Sequence, residues 1–153
     1  MAPLTFLSIS ALMSSAIYIV FPDWLKWAAL PLANWVRWIG LPIAFTGFAI
    51  LEWAQFALAK NWSDQPVKLK SQTLTKTGPY AFVRHPIYTG FLLILSSPLF
   101  LSANWFVGFT WIAATYLDLS NRIKMEEAML SESFGDEFRD HVKKTGRFFP
   151  RFQ

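Results

Sequence analysis

The sequence predicts an all-α membrane protein, a polytopic bundle of about four transmembrane helices. Of its 153 residues, 54% are hydrophobic, including 8 Trp and 15 Phe, whereas an ordinary soluble domain is about 45–50% apolar with glycine included. The apolar residues form long uncharged runs rather than short alternating segments, which is typical of helices that cross a bilayer. A chain of this length leaves no room for a second core, so we expect a single membrane-embedded domain over residues 1–153.

Four apolar runs predict the membrane spans. About 20 residues at 1.5 Å per residue cross some 30 Å of hydrocarbon, and the predicted spans cover residues 4–21, 39–58, 87–101 and 105–121. A turn at 102–104 joins the last two spans into a C-terminal helical hairpin. The first run lacks the basic residues that precede the apolar part of a signal peptide, so we expect it to be retained.

A tryptophan-rich connector lies between the first two spans. Tryptophans and cations are enriched where a membrane meets water, which predicts that residues 24–38 lie at the interface, although a short re-entrant hairpin is also open. The second span contains Glu52 and Gln55, three residues apart and hence on one helical face. Glu52 faces either a polar cavity inside the bundle or a structural partner on another helix, and the sequence leaves both possibilities open.

The fourth span is predicted to continue out of the membrane as one helical rod. Its character changes from apolar to charged at Asn121-Arg122, and good helix formers follow until Phe134-Gly135 ends it. Residues 136–144 then form a short amphipathic segment, with Phe138 and Val142 on one side. The aromatic and basic residues that follow suggest that the chain packs back on the interface.

The distribution of cations predicts the orientation. Five cations lie in the polar loop, residues 60–86, and seven in the tail, residues 122–153, against two in the connector. The loop cations are Lys60, Lys68, Lys70, Lys76 and Arg84; those of the tail are Arg122, Lys124, Arg139, Lys143, Lys144, Arg147 and Arg151. By the positive-inside rule both elements are cytoplasmic, and both termini are then cytoplasmic as well.

Composition limits the chemistry. The chain has no Cys, which excludes disulfides, thiolate zinc sites, iron–sulfur clusters and a cysteine nucleophile. With 2 His, a histidine-rich metal site is not expected. We expect membrane lipids as partners and neither a metal nor nucleic acid, and the sequence leaves the oligomeric state open.

One stretch, residues 77–90, combines a turn, an Arg-His pair, two tyrosines and a helix start. Gly78-Pro79 is a turn signal, and Pro86 suits the first turn of a helix. The hairpin brings this stretch near the rod, where Arg122 and Glu126 are four residues apart and share a face. Interfacial anchoring and a solvated ion pair are the plain alternatives to a functional site.

The ordered motifs resemble the isoprenylcysteine carboxyl methyltransferase family and the related phospholipid N-methyltransferases. They are the run 77–90, the apolar hairpin, Glu126-Glu127, the segment 134–138, Val142 and Pro150. The resemblance covers roughly half of the chain, residues 65–152. It implies an integral-membrane enzyme that uses S-adenosylmethionine, with S-adenosylhomocysteine as product, to methylate a lipophilic acceptor. Prenylcysteine carboxylate, phosphatidylethanolamine, an isoprenoid and a small thiol all remain open as the acceptor.

The resemblance also implies a set of site residues. The cofactor-binding residues would be Gln65, Gln72, Thr73, Leu74, Thr75, Tyr80, His85, Pro86, Ile87, Tyr88, Arg122 and Glu126. Arg122, Glu126 and His85 would be catalytic. Family members often have His at the position of Gln72. The chemistry is consistent, because a carboxylate can pair with the ammonium of the cofactor, a guanidinium with a carboxylate, and tyrosine faces with a sulfonium.

Two other functions are compatible with the sequence. One is an intramembrane NADPH-dependent sterol or steroid reductase, whose members also end in a basic-aromatic tail. The other is a non-catalytic helical membrane scaffold. Outside the implied site, His141 is expected to be solvated rather than catalytic, and Glu127 to solvate the other face of the rod.

Overall fold

The computed structural model of the chain is helical and describes residues 2–58 and 73–151. The helices, in chain order, are α1 (Ala2–Val20), α2 (Asn34–Arg37), α3 (Gly40–Leu58), α4 (Pro86–Ser102), α5 (Trp105–Phe134) and α6 (Asp136–Lys144), with 3-10 helices at Pro22–Ala28 and Gly78–Ala81. Over the described residues no β-strand forms, and isolated bridges join Ala29 to Asn104 and Val83 to Gly146. The predicted all-α class is confirmed over these ranges.

The helix bounds follow the predicted pattern closely. Helices α1, α3 and α4 begin and end within two residues of the predicted spans 4–21, 39–58 and 87–101. Helix α5 is continuous for 30 residues, so the rod predicted beyond the fourth span is confirmed as a helix, and α6 has the predicted bounds.

By length and hydropathy, one helix within the described ranges can span a membrane. It covers Asn34–Leu58, which is 25 residues long. The helices Ser8–Val20 and Pro22–Ala28 qualify only as a pair, bent by 114°, and Pro86–Ser102 is apolar but shorter. The number of spans therefore stays a prediction.

The chain divides into two compact units, and helices α3, α4 and α5 each contribute residues to both. Unit 1 consists of Met1–Phe48 and Phe91–Leu119, and unit 2 of Ala49–Gly90 and Ser120–Gln153. That the whole chain acts as one domain stays a prediction.

Unit 1 is held by apolar packing and by hydrogen bonds that mostly join uncharged groups. Ser14 bonds Thr110 at 2.9 Å, and the Tyr18 hydroxyl donates to the carbonyl of Ser102 at 2.7 Å. The side chain of Asn104 caps α5, because its Oδ1 accepts the N–H groups of Phe106 and Val107, the first-turn amides that have no partner within the helix.

Unit 1 also contains the tryptophan-rich connector. The four Trp side chains of the connector are 63–71% exposed. Arg37 donates two hydrogen bonds to the Leu101 carbonyl, at 3.2 and 2.9 Å, and so satisfies the carboxyl end of α4. Exposed indole rings beside a cation are compatible with the predicted interfacial position, which stays a prediction.

Unit 2 contains the carboxyl end of α3, the start of α4, the charged end of α5, and α6. Gly135, with φ +50°, ends α5 and allows the sharp change of direction into α6. Phe138 is buried on α6 and Val142 is half-buried, in agreement with the predicted apolar side of this segment. Glu52 is half-buried and Gln55 is exposed on α3, so both interpretations of Glu52 remain.

Candidate functional site

The site in unit 2 begins with the turn that precedes α4. Gly78 has φ +60°, a conformation that favours glycine, and a Cβ there would lie 3.0 Å from the Cβ of Ala57. The 3-10 helix Gly78–Ala81 buries Pro79 and Tyr80. Pro86 is the first residue of α4, where its missing N–H costs nothing. The turn thereby places Arg84 and His85 immediately before the first turn of α4.

The first turn of α4 contacts the charged end of α5. The Tyr88 hydroxyl donates to Oε1 of Glu126, and Nδ1 of His85 lies 3.6 Å from Oε2 of the same carboxyl. The His85 and Tyr88 rings stack, with centroids 5.5 Å apart and planes 11° apart. The predicted proximity of the third span's start to the rod is confirmed by this contact. We call His85, Tyr88 and Glu126 the carboxyl cluster.

The Glu127 carboxylate accepts hydrogen bonds from three side chains, Arg84, His85 and Arg147, and is not directed into solvent. Its Oε1 lies 3.1 Å from Nε of Arg84 and 3.2 Å from Nε2 of His85, and its Oε2 accepts from Arg147 at 2.8 Å. The Glu127 side chain is only 20% exposed. The prediction that Glu127 solvates the other face of the rod is wrong, because the turn before α4 covers that face.

Residues 145–148, here called the clasp, hold the turn from the other side. The N–H of Arg84 donates to the carbonyl of Gly146 at 2.9 Å, and the N–H of His85 to that of Arg147 at 3.2 Å. The Arg84 guanidinium also donates to the Thr145 carbonyl at 2.6 Å. The clasp therefore satisfies backbone donors next to the buried imidazole.

The pKa values of the neighbouring Glu126 and Glu127 carboxyl groups shift in opposite directions. Burial raises the pKa of Glu126 above its usual value, although the Tyr88 hydrogen bond and the Arg122 charge oppose this. Burial also raises the pKa of Glu127, but its three hydrogen-bond donors outweigh that effect and hold the pKa below the usual value. Burial lowers the pKa of His85, with Glu127 partly opposing. At neutral pH the imidazole is neutral and Glu127 is ionised.

A small cleft of about 90 Å³ lies beside Tyr80. Its walls are formed by Leu58, Thr73, Leu74, Thr75, Tyr80, Arg84, Leu130, Phe134, Phe138 and His141. Burial, with a contribution from Glu126, raises the pKa of Tyr80 far above its usual range, so the phenol stays protonated. Small-molecule sites generally measure about 300–1,000 Å³, so the described walls enclose only part of such a volume.

The predicted site residues fall into two neighbouring groups. Thr73, Leu74, Thr75 and Tyr80 line the cleft, while the carboxyl cluster contains His85, Tyr88 and Glu126. Arg122 is exposed one turn before Glu126, and its charge lowers the pKa of that carboxyl. Pro86 is buried and Ile87 half-buried in the first turn of α4. Gln65 and Gln72 lie outside the described residues.

His141 is buried, and the prediction that it is solvated is wrong. The residue is 8% exposed and lines the cleft. Burial, with the Lys76 and Arg84 charges, lowers the pKa of its imidazole. Phe138 and His141 are three residues apart on α6, so both lie on the face of α6 that is buried. The sequence did not predict a place at the site for His141, Arg84, Glu127 or Arg147. The apolar spacing on α6 could have indicated that His141 is buried.

Over the described residues, the helical fold, the apolar helices and the partly buried cluster of titratable side chains are those expected of a helical membrane protein with an enzyme-like site. The model of the isoprenylcysteine carboxyl methyltransferase (ICMT) family matches residues 38–132. The match covers more than half of the chain, and the chain belongs to this family.

Individual relatives agree with this assignment. The chain is 33% identical over 81 residues to a protein-S-isoprenylcysteine O-methyltransferase of Schizosaccharomyces pombe, covering 53% of this chain and 34% of that protein. It is 26% identical over 126 residues to the same enzyme of Rattus norvegicus, covering 81% and 44%. A methanethiol S-methyltransferase 1 of Bradyrhizobium diazoefficiens is 32% identical over 71 residues, covering 46% and 24%. The chain matches less than half the length of these relatives.

A solved structure shares the fold. It is the eukaryotic intramembrane Ras methyltransferase ICMT, with a TM-score of 0.76 and 25% sequence identity, and the match covers 95% of this chain and 51% of that chain.

Proposed function

We propose that the protein is an integral-membrane, S-adenosylmethionine-dependent methyltransferase that acts on a lipophilic acceptor at the cytoplasmic membrane interface. The observation that carries this proposal is the contact of Tyr88 and His85 with Glu126. It brings together residues that the family resemblance assigns to one cofactor site. The names of the relatives, all of them methyltransferases, support the reaction class.

The proposed topology has four spans, with both termini in the cytoplasm. The helix bounds and the concentration of cations in residues 60–86 and 122–153 support it. The whole chain, residues 1–153, would act as one membrane-embedded domain. In this arrangement the carboxyl cluster lies at the height of the lipid headgroups, within reach of a water-soluble methyl donor and a membrane-borne acceptor.

The residues present fit S-adenosylmethionine by their chemistry. Glu126 supplies a carboxylate for its ammonium, and Arg122 a guanidinium for its carboxylate or for that of the acceptor. Tyr80 and Tyr88 supply aromatic faces suited to a sulfonium. The apolar walls of the cleft suit a nucleoside ring, and the predicted contacts at Gln65 and Gln72 would complete the pocket beyond the described residues.

When bound, S-adenosylmethionine supplies an electrophilic methyl group for an in-line displacement. The chain's own residues then act mainly by positioning and by excluding water. The Tyr88 hydroxyl orients the Glu126 carboxyl by hydrogen bonding. A carboxylate acceptor needs no base, whereas a thiol or amine acceptor must lose a proton. His85, neutral at pH 7, or Glu126 would take that proton.

The acceptor we propose is a prenylcysteine carboxylate or a similar lipophilic molecule, with a small thiol as the main alternative. Both classes occur in the names of relatives. Incubating the purified protein with radiolabelled S-adenosylmethionine and a native lipid extract, then identifying the labelled species, would decide between them. Label in a base-labile ester indicates a carboxylate acceptor, and label in a volatile thioether indicates a small thiol.

Ligand binding tests the reaction class directly. We expect saturable binding of S-adenosylhomocysteine to the protein in detergent, measured by calorimetry, and its loss in Glu126→Ala and His85→Ala. Glu132→Ala is the matched control, since Glu132 is an exposed glutamate on the same helix. Wild-type affinity in both site variants contradicts the proposed pocket. Stabilisation by NADPH instead would indicate a reductase, and a response to neither nucleotide would indicate a scaffold.

A further inference from the structure

The two ring nitrogens of His85 face two different carboxyl groups. Nε2 lies 3.2 Å from Oε1 of Glu127, and Nδ1 lies 3.6 Å from Oε2 of Glu126. The imidazole side chain is only 5% exposed and stacks on Tyr88. A buried neutral imidazole has one donor nitrogen and one acceptor nitrogen, and the hydrogen bond made by one nitrogen decides the role of the other.

The environment of Glu127 decides which nitrogen carries the proton. Arg84 and Arg147 both contact its carboxyl oxygens, at 3.1 and 2.8 Å. Guanidinium groups are permanently charged and only donate, so they favour an ionised Glu127, and an ionised carboxylate only accepts. The third contact of Glu127 is Nε2 of His85, and the charges therefore require Nε2 to be the donor.

We propose that Glu127 is a positioning residue, which fixes His85 in the tautomer with the proton on Nε2 and the lone pair of Nδ1 directed toward Glu126. This inference rests on the proposed function for its purpose: it leaves the basic nitrogen on the side of the carboxyl cluster. There the imidazole can take a proton from a thiol or amine acceptor, whereas Glu127, paired with Arg84 and Arg147, occupies the Nε2 side of the ring. Within the described ranges, the titratable and charged groups that face the ring or act on it are Glu126, Glu127, Tyr88, Arg84 and Arg147.

Histidine nitrogen NMR reads the tautomer without requiring activity. The chain has 2 His, so ¹⁵N-histidine labelling of the full chain in detergent gives two ring systems, and His141→Gln assigns them. We expect the wild-type His85 to show the proton on Nε2. In Glu127→Gln, whose amide can donate as well as accept, we expect a mixture of tautomers and a His85 titration moved to lower pH.

Two further variants separate positioning from a merely structural role. Arg147→Gln leaves Glu127 paired with Arg84, so the tautomer should persist while the His85 titration moves to higher pH, because a nearby positive charge is lost. Glu132→Gln removes an exposed charge from the same helix and should leave both readouts unchanged. Glu127 and Arg147 form one salt bridge, yet replacing them should move the His85 titration in opposite directions. Loosened packing would not produce opposite shifts.

The wild-type spectrum and the Glu127→Gln spectrum each test the proposal. A proton on Nδ1 in the wild type overturns the proposal, as does a Glu127→Gln spectrum identical to that of Glu132→Gln. If Glu127→Gln does not fold, the wild-type spectrum and the Arg147→Gln titration still decide it. S-adenosylhomocysteine binding is measured on the same samples: failure of the wild type to bind would contradict the proposed function, while the tautomer remains a separate result.

Discussion

Unit 1 and unit 2 satisfy their polar groups by different means. Unit 1 contains Asp23, Lys26, Arg37 and Asp118 as its charged residues, although the chain has 14 Lys and Arg and 10 Asp and Glu. Its cross-helix contacts use hydroxyls and backbone carbonyls, such as the Tyr18 hydroxyl on the Ser102 carbonyl. Unit 2 holds the remaining charges, and Glu127 alone contacts three donors.

The difference follows from the cost of charge in an apolar medium. A charge at mid-membrane costs about 2.5–3.5 kcal/mol or more, whereas a hydroxyl bonded to a carbonyl costs little. Unit 1 is thus suited to lipid, and unit 2 concentrates charge where partners and water can balance it. Within unit 2 the balance is uneven, because hydrogen bonds lower the pKa of Glu127 whereas burial raises the pKa of Glu126. The following predictions test this contrast, from the largest effect to the smallest.

Gly146→Ala should destabilise unit 2 most. A Cβ at Gly146 would overlap the carbonyl oxygen of Phe149, so the clasp must move and release the backbone of Arg84 and His85. We expect a loss of about 3 kcal/mol or more in the free energy of unfolding, at the upper end for overpacking, measured by denaturant titration in micelles. Gly135→Ala is the control, since a Cβ there meets nothing within 4 Å and should cost about 1–3 kcal/mol for the strained backbone at φ +50° and ψ −119°. Equal losses would show that the clasp does not support the turn.

Arg84→Ala should separate buried from exposed ion pairs within unit 2. The Arg84 side chain is 11% exposed and bonds both Glu127 and the Thr145 carbonyl. Because hydrogen bonds to charged groups contribute about 1.5–3 kcal/mol each, we expect a loss of about 2–4 kcal/mol in the free energy of unfolding, nearly independent of salt. Lys143→Ala breaks the exposed pair with Asp140 and should cause no measurable change. A strong salt dependence of the Arg84 effect would contradict its burial.

Glu126→Gln and Glu127→Gln should change stability in opposite directions with pH. The lowered pKa of Glu127 contributes stability above its usual value near 4.5, which is lost as pH falls through the lowered pKa. Glu127→Gln should therefore cost about 1–3 kcal/mol at pH 7 and progressively less in acid. The raised pKa of Glu126 makes its ionised form a cost as pH rises above 4.5, so Glu126→Gln should be neutral or slightly stabilising at pH 8.

Thermal unfolding midpoints from pH 3 to 8 in one detergent measure both curves. In Glu126→Gln the amide oxygen of the new side chain would still accept the Tyr88 hydrogen bond, so this variant isolates the charge. Parallel pH curves for the two variants would show that the neighbouring carboxyl groups share one environment, contrary to the assignment. The Glu126→Gln variant should nevertheless lose S-adenosylhomocysteine affinity, because a partly desolvated charge kept at a cost is expected where function requires it.

Asn104→Ala should weaken unit 1 without any pH dependence. Asn104 is 2% exposed, caps α5 with its Oδ1, and donates from Nδ2 to the Leu25 carbonyl at 2.8 Å. Loss of a cap costs about 0.5–2 kcal/mol, so we expect a decrease of about 1–2 kcal/mol in the free energy of unfolding, equal at pH 5 and pH 8. Asn104→Ser retains an uncharged N-cap acceptor and should recover part of the loss. A pH-dependent effect of Asn104→Ala would mean that unit 1 responds to charges in the manner of unit 2.

The helices could be predicted because their signals are local. Pro86 begins α4, Asn104 caps α5 and Gly135 ends it, and hydropathy gives the lengths between these residues. The hydrophobic run alone did not reveal the sharp bend between α1 and the following 3-10 helix.

The site could be predicted only in part. The meeting of Tyr88 with Glu126 followed from hairpin topology and motif order. The roles of Glu127 and His141 did not, because a charged residue on a helix is either solvated or paired according to what packs against its face. For Glu127 that packing comes from the clasp, which is distant along the chain. No local periodicity encodes the pairing of Arg147 with a carboxylate on α5.

The bridge between Arg84 and the clasp has a consequence for biosynthesis. Arg84 and Thr145 are 61 residues apart, so at about 5–20 residues per second the ribosome completes the clasp about 3–12 s after it has made the turn. Until then the amides of Arg84 and His85 lack their carbonyl partners and Glu127 lacks Arg147. A nascent chain whose apolar helices are already made therefore still lacks the contacts that hold the backbone of His85 and the carboxyl of Glu127.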